Sequence, residues 1–302
     1  DTFQDAPDWN RVKLGKGYSW FIDYYLDEMR KASETAGRRL LDVLDLHWYP
    51  EARGDNRIVF ESNATSEKNV AARLQAPRSL WDLEYVEDSW ISQWRAHSRE
   101  IPGVGTTRQG AIALLPRVLA SIEKYYPGTK LAITEFSYGA EDHISGGIAM
   151  ADTLGIFGRY GVYAANFWQV SQKVDYVAAA YRIYRNYDGN MSTFGDVSLK
   201  ATSSDVAKTS VYAATTSAAD QTEEGSGVQK VHIIALNKTK EPLADSFFTI
   251  ATDRKIADIE VWAFDSGSPD IRKLDSPMEL EDKAFQYTLP ALSVCHFVIS
   301  LE

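Results

Sequence analysis

Cysteine is almost missing from this sequence: Cys295 is the single one in 302 residues. No intrachain disulfide can form, and a cysteine-rich zinc site is excluded. Set in the apolar run ALSVCHFVIS, the thiol is expected to be buried and inert. Basic charge is also scarce, with 32 Lys and Arg against 42 Asp and Glu and a formal net charge of -10. No basic stripe is present for a polyanion, so nucleic acid is not an expected partner. No apolar run approaches the roughly 18 residues that cross a bilayer, and no membrane association is expected. The HEXXH, glycine-rich phosphate-loop and GXSXG signatures are absent, which removes the commonest zinc-protease, nucleotide and serine-hydrolase readings. There is no initiating Met or signal segment, and the opening DTFQDAPDWN reads like the interior of a longer protein.

What is present is enough apolar sequence, 44% of residues, to bury a large core in one big domain or two of moderate size. The pattern changes near residue 190. Before it, helix-like stretches such as GYSWFIDYYLDEMRKASETAG and QGAIALLPRVLASIEKYYPG alternate with short apolar runs, LLDVLDLHWY, KLAITEF and GVYAANFW. The helical stretches close at Gly37 and at Pro127-Gly128. This alternation predicts βα units around a parallel sheet over residues 1–190. After it, KVHIIALN, DSFFTIAT, DIEVWAFD, AFQYTLP and SVCHFVIS follow at short intervals, separated by turn-rich segments such as QTEEGSG and DSGSPD, and predict an antiparallel β-sandwich over 191–302. Three parallel strands do not make a closed eightfold barrel, which usually needs about 250 residues. Either a smaller open sheet exists, or the chain is the C-terminal portion of a barrel whose earlier strands lie elsewhere.

In a βα barrel the active site is assembled at the C-terminal ends of the strands. The three candidate strands end in His47-Trp48-Tyr49-Pro50-Glu51, in Glu135, and in Asn166-Phe167-Trp168-Gln169. Carboxylate, imidazole and aromatic groups together suit a sugar-processing cleft, because pyranose rings offer apolar faces to aromatic planes and hydroxyls to polar neighbours. Glu135 is the best single candidate for chemistry, although a Glu after a strand also caps helices or pairs with Arg. Tyr138 could donate to a carboxylate, and Gly139 would let a ligand approach the backbone. His47 and Glu51 are expected to line the cleft, against the alternatives of a hydrogen-bonded structural His and a surface Glu51–Arg53 pair. Trp90 and Trp94, four apart in DSWISQW, share a face if helical; by spacing alone, core packing and a stacking platform both remain open. The acidic clusters near Asp188 and Asp265 lack calcium-loop spacing and read as turns.

The stretches LLDVLDLHWYPEARG, AARLQAPRSLWDLEYVEDSWISQW, YYPGTKLAITEFSYGAEDHISGGIAMADTLGIFGRYGVYAANFWQV and AAYRIYRNYDGNMSTFGD recur in order along almost the whole chain. They resemble glycoside hydrolase family 44. The resemblance implies a (β/α)8 TIM barrel with a β-sandwich domain, and a secreted, retaining, endo-acting β-1,4-glucanase of the cellulase type that often accepts xyloglucan and sometimes xylan. It implies Glu135 as nucleophile and Trp90, Trp94 and Trp168 as sugar-stacking residues, with His47 and Tyr49 lining the cleft. A structural calcium ion is possible in the family, with ligands that cannot be placed on this sequence; the chemistry requires no cofactor. The family's acid/base Glu belongs to an Asn-Glu-Pro type motif absent from these residues. The chain therefore resembles the C-terminal part of the enzyme, from about the sixth barrel strand onward. Its expected partners are a β-glucan polysaccharide and the N-terminal half of the enzyme. Glu51 is the in-chain substitute to weigh for the acid/base, and the rival reading is a non-catalytic β-glucan-binding or structural fragment.

Overall fold

The structure, a computed structural model, describes residues 17–94, 97–216, 229–278 and 280–302. In chain order the first part runs α1 (Phe21–Ala36), β1 (Val43–Trp48), the two-residue ladder β2 (Arg53–Gly54) with β3 (Arg57–Ile58), α2 (Glu67–Gln75), a 3-10 turn (Ala76–Leu80) and α3 (Trp90–Trp94). It continues through the ladder β4 (Glu100–Ile101) with β5 (Gly105–Thr106), then α4 (Leu114–Tyr125), β6 (Lys130–Phe136), α5 (Ile144–Tyr160), β7 (Ala164–Phe167) and α6 (Asp175–Arg185). The three longer strands form one sheet in the order β1-β6-β7, parallel throughout. This is the arrangement that alternating helical and strand periods dictate, since parallel neighbours need a crossover and the helix supplies it. Both outer strands, β1 and β7, are sheet edges among the described residues.

The remaining strands are β8 (Val197–Leu199), β9 (Thr209–Thr215), β10 (Gln229–Asn237), β11 (Leu243–Thr249), β12 (Ile256–Asp265), β13 (Ser268–Leu274), β14 (Ala284–Leu289) and β15 (Ser293–Leu301). Six of them make an antiparallel sheet in the order β13-β12-β15-β10-β9-β8, and β11 pairs with β14 as a separate ladder. The sequence signals for β8, β9 and β13 are weak. Ser268-Pro269-Asp270 of DSGSPD, expected as turn, already belong to β13, while QTEEGSG lies outside the described residues.

The six-stranded sheet is covered on both sides, which explains why β10 and β15 read as nearly unbroken apolar runs rather than alternating ones. Val231, Ile233, Ala235, Phe297 and Ile299 face one core with Phe285 and Leu289 of β14. There Phe248 stacks on Phe285 at 4.8 Å, and Phe297 closes the group at 5.1 and 5.3 Å. Cys295 sits in this layer with no exposed surface, its thiol pushed up to about 12 by burial. The alternate residues Ile234, Leu236, Val294 and Val298 share a larger core with α5, α6 and the parallel sheet. Helix α5 comes so close to β9 that a Cβ on Gly155 would lie 2.3 Å from the Tyr212 ring. The helical and antiparallel parts are thus joined by one continuous core.

Candidate active site

Period-two alternation along β6 would place Leu131, Ile133 and Glu135 on one face. Leu131 and Ile133 are buried, and an acid beside them would be costly. The register prevents this. Leu46 pairs with Ile133, yet the next residue, His47, pairs with Glu135, and Trp48 with Phe136. One extra residue, Thr134, is inserted in β6. Against β7 the same insertion recurs, because Ile133 to Phe136 spans three steps while Ala165 to Phe167 spans two. A one-residue slip flips every later side chain to the opposite face. Glu135 therefore joins His47 on the open face, and Phe136 turns inward, fully buried against Phe157 at 5.1 Å.

On that face the Glu135 carboxylate is held through one oxygen. The Tyr49 hydroxyl donates to Oε2 at 3.0 Å, and His47 Nδ1 lies 3.1 Å from the same atom. Oε1 has no donor among the described residues. The Tyr49 ring is braced by Phe60 at 4.8 Å, a contact with no sequence signal. Burial first, then the hydrogen bond to Glu135 and its charge, push the Tyr49 phenol up to about 12, so it remains a neutral donor. His47 and Glu135 are 52% and 29% exposed, which leaves both reachable from solvent. Among the described residues neither a helix cap nor an Arg pair involves Glu135.

Tyr138 is a correction. Only 2% of it is exposed, deep burial raises its phenol well above the ordinary value, and it cannot touch a ligand. The donor to the carboxylate is Tyr49. Gly139 is also not a ligand approach: at φ +65° a Cβ there would meet the Val59, Ser62 and Phe60 carbonyls at 2.3 to 2.9 Å. Its backbone packs against the 59–62 loop. Buried Arg73 clamps the same loop, donating to Tyr138 O (2.8 Å), Ser62 O (2.8 Å), Ala64 O (3.2 Å) and Val59 O (3.3 Å), and to Ser145 Oγ (3.1 Å).

Trp168 follows β7, its amide donating to Phe136 O at 3.0 Å, and its side chain is 54% exposed. Trp90, on α3, is 41% exposed, and Trp94 closes that helix with its side chain outside the described residues. The Arg53 amide donates to Asp88 O at 3.0 Å, tying the loop after Glu51 to the segment that leads into α3. Burial raises the Glu51 carboxyl above its ordinary range, with the Glu61 charge adding and a Trp90 hydrogen bond opposing. A hollow of about 560 Å³ lined by Arg182, Asn186, Trp262 and Asp270 lies elsewhere, and the Glu135 group stands on an open face. No three His, Cys, Asp or Glu side chains converge on a metal position among the described residues. No helix among them is long and apolar enough to cross a membrane.

Comparison with known proteins gives these positions a context. The model of glycoside hydrolase family 44 matches residues 2–52. Endoglucanase A of Paenibacillus lautus is 47% identical over 301 residues, covering 100% of this chain and 40% of that protein. A Paenibacillus polymyxa xyloglucanase of family 44 superposes with a TM-score of 0.87 at 44% identity, over 99% of this chain and 54% of the other. A structure of a family 44 xyloglucanase from that organism with xyloglucan gives 0.86 at 43% identity, over 98% and 54%. Over 98–99% of its length, then, the chain matches family 44 glycoside hydrolases at 43–44% identity, and it spans about half the length of those solved members.

Proposed function

We propose that Glu135 is the nucleophile of a secreted, retaining, endo-acting glycoside hydrolase that cleaves β-1,4-glucans, carboxymethyl-cellulose and xyloglucan among them, with xylan as a further substrate. The observation that carries this reading is the Glu135 carboxylate at the C-terminal end of the central parallel strand, anchored through Oε2 by Tyr49 and His47, with no donor to Oε1 among the described residues. An anchored carboxylate with one free oxygen is placed to attack an anomeric carbon. The C1–O bond breaks with its electron pair leaving on the glycosidic oxygen, which takes a proton from the acid; water then releases the glycosyl-enzyme. Retention needs the two carboxyl groups about 5–5.5 Å apart. We assign the acid/base to a Glu outside this chain, in the N-terminal half of a (β/α)8 barrel of which residues 1–190 are the C-terminal part, with residues 191–302 as a β-sandwich domain. The open edges at β1 and β7 support that partner, since unpaired edges are ordinarily covered. The exposed Trp90 and Trp168 support aromatic stacking on a polysaccharide.

Glu135→Gln in the enzyme assembled with its N-terminal half should lower turnover of an aryl cellobioside by about 10³-fold or more. Near-normal turnover would remove Glu135 from the mechanism. Exposed tryptophans would serve a non-catalytic β-glucan-binding fragment equally well. Assays of the chain alone and after mixing with the N-terminal half separate the two: activity on xyloglucan only after mixing supports the split catalyst, and none in either case supports the binding fragment. Turnover by the isolated chain would move the acid/base inside it, with Glu51 the first candidate.

A further inference from the structure

The inserted residue of β6 must be held in place by something, because it has left the ladder. An extra residue in a strand loses its pairing partner, and its amide needs another acceptor. Thr134 N–H donates to Asp45 Oδ1 at 3.2 Å, and Thr134 Oγ1 donates to Asp45 Oδ2 at 2.6 Å. Both carboxylate oxygens of Asp45 are thus engaged by the one residue that disturbs the register. Asp45 lies two residues before His47 on β1, on the same face, so it stands directly below the Glu135 anchor.

We propose that Asp45 is a positioning residue of the reaction: by pinning the Thr134 insertion it sets the direction of Glu135 and the alignment of its carboxylate with Tyr49 and His47. The inference rests on the reading of Glu135 as nucleophile and adds a residue that touches neither substrate nor that carboxylate. Without the insertion, period-two alternation would turn Glu135 to the face of buried Leu131 and Ile133. Loss of Asp45 therefore loosens the strand end around Glu135 rather than inverting it. A displacement of about 1 Å at a reacting group costs on the order of 10²-fold in rate.

The test uses a 2,4-dinitrophenyl 2-deoxy-2-fluoro-β-cellobioside with the enzyme assembled with its N-terminal half. The carboxylate–C1 bond forms as dinitrophenolate departs with the bonding electrons, and no proton is needed, so the labelling rate isolates the nucleophile. Wild-type enzyme should be labelled at Glu135; labelling at another residue would overturn the nucleophile assignment and this inference with it. With Glu135 labelled, Asp45→Ala should react about 10²-fold more slowly at an unchanged residue. On an unfluorinated aryl cellobioside it should lose kcat in the same proportion while KM moves by less than about threefold. Asp45→Asn, whose Oδ1 still accepts from the Thr134 amide, should recover most of the rate, and Thr134→Val should fall about tenfold. Wild-type labelling rates in Asp45→Ala would overturn the proposal. So would an Asp45→Asn enzyme as slow as Asp45→Ala, or, if Asp45→Ala does not fold, a Thr134→Val enzyme labelled at the wild-type rate.

Discussion

At the scale of single residues, the candidate site depends on which tyrosine meets Glu135. Two were within reach along the sequence. Tyr138 follows the acid by three positions, whereas Tyr49 lies just past the end of β1, 86 positions earlier, and it is Tyr49 that donates to Oε2. Local proximity favoured Tyr138, but a phenol two residues past a strand end points where the following turn sends it, and here the turn sends it into the core. Strand pairing brings the distant residue close, since His47 is registered against Glu135 and Tyr49 lies two positions beyond. Tyr49→Phe keeps the ring and its contact with Phe60 while removing one hydrogen bond to a charged group, worth about 1.5–3 kcal/mol. We expect kcat/KM on an aryl cellobioside to fall by about 10- to 100-fold, with a melting temperature within a few degrees of wild type. An unchanged kcat/KM would mean that His47 alone suffices to orient the carboxylate.

At the scale of elements, the loop between β3 and α2 is held by a buried cation with no carboxylate partner among the described residues. Arg73 is fully buried, and desolvation lowers its guanidinium to about 10, which leaves it charged at neutral pH. Its charge is spread over four carbonyls and the Ser145 hydroxyl, the planar fork reaching acceptors in several directions at once. Arg73→Met fills much of the space but strands those carbonyls, and buried unsatisfied acceptors cost about 1–3 kcal/mol each. The expected loss is about 3 kcal/mol or more in urea unfolding of the chain, with Arg73→Lys recovering only part of it. A loss below about 1 kcal/mol would show that water replaces the guanidinium. Such contacts explain how far the sequence could be read. Strand ends were legible because composition changes abruptly from apolar to polar, and His47, Tyr49 and Glu135 were all found there. The register shift at Thr134 was not, since KLAITEF carries no mark of an inserted residue. Only pairing with β1 and β7 reveals it. Likewise β8, β9 and β13 escaped notice because their apolar content is low, and among the described residues the strands layered over the six-stranded sheet are β11 and β14.

At the scale of the whole molecule, the join between the helical part and the antiparallel sheet carries a buried pair of imidazoles. His232 of β10 and His296 of β15 are 3% and 0% exposed, and Nδ1 of the first lies 3.0 Å from Nε2 of the second. The Tyr187 ring, just past α6, sits 4.4 Å from His296, with Phe194 at 5.7 Å, so the pair is packed between the two parts. Burial first, with the Lys230 charge adding, pushes His232 down to about 4; burial first, with the His232 charge adding, pushes His296 far below its ordinary value. Both rings are neutral in the folded state at neutral pH. In the unfolded chain they take up protons below about 6.5, so the unfolded state binds more protons through the window from 6.5 down to about 4, and stability must fall as pH falls across it. His232 alone accounts for on the order of 3 kcal/mol by the lower end of that window. Urea midpoints of the chain at pH 7, 6 and 5 should therefore decline before most carboxylates begin to titrate. The double variant His232→Leu with His296→Leu replaces both partners by apolar groups and should flatten that decline. An equal slope in the variant would assign the acid sensitivity to other groups and leave the two imidazoles as simple packing.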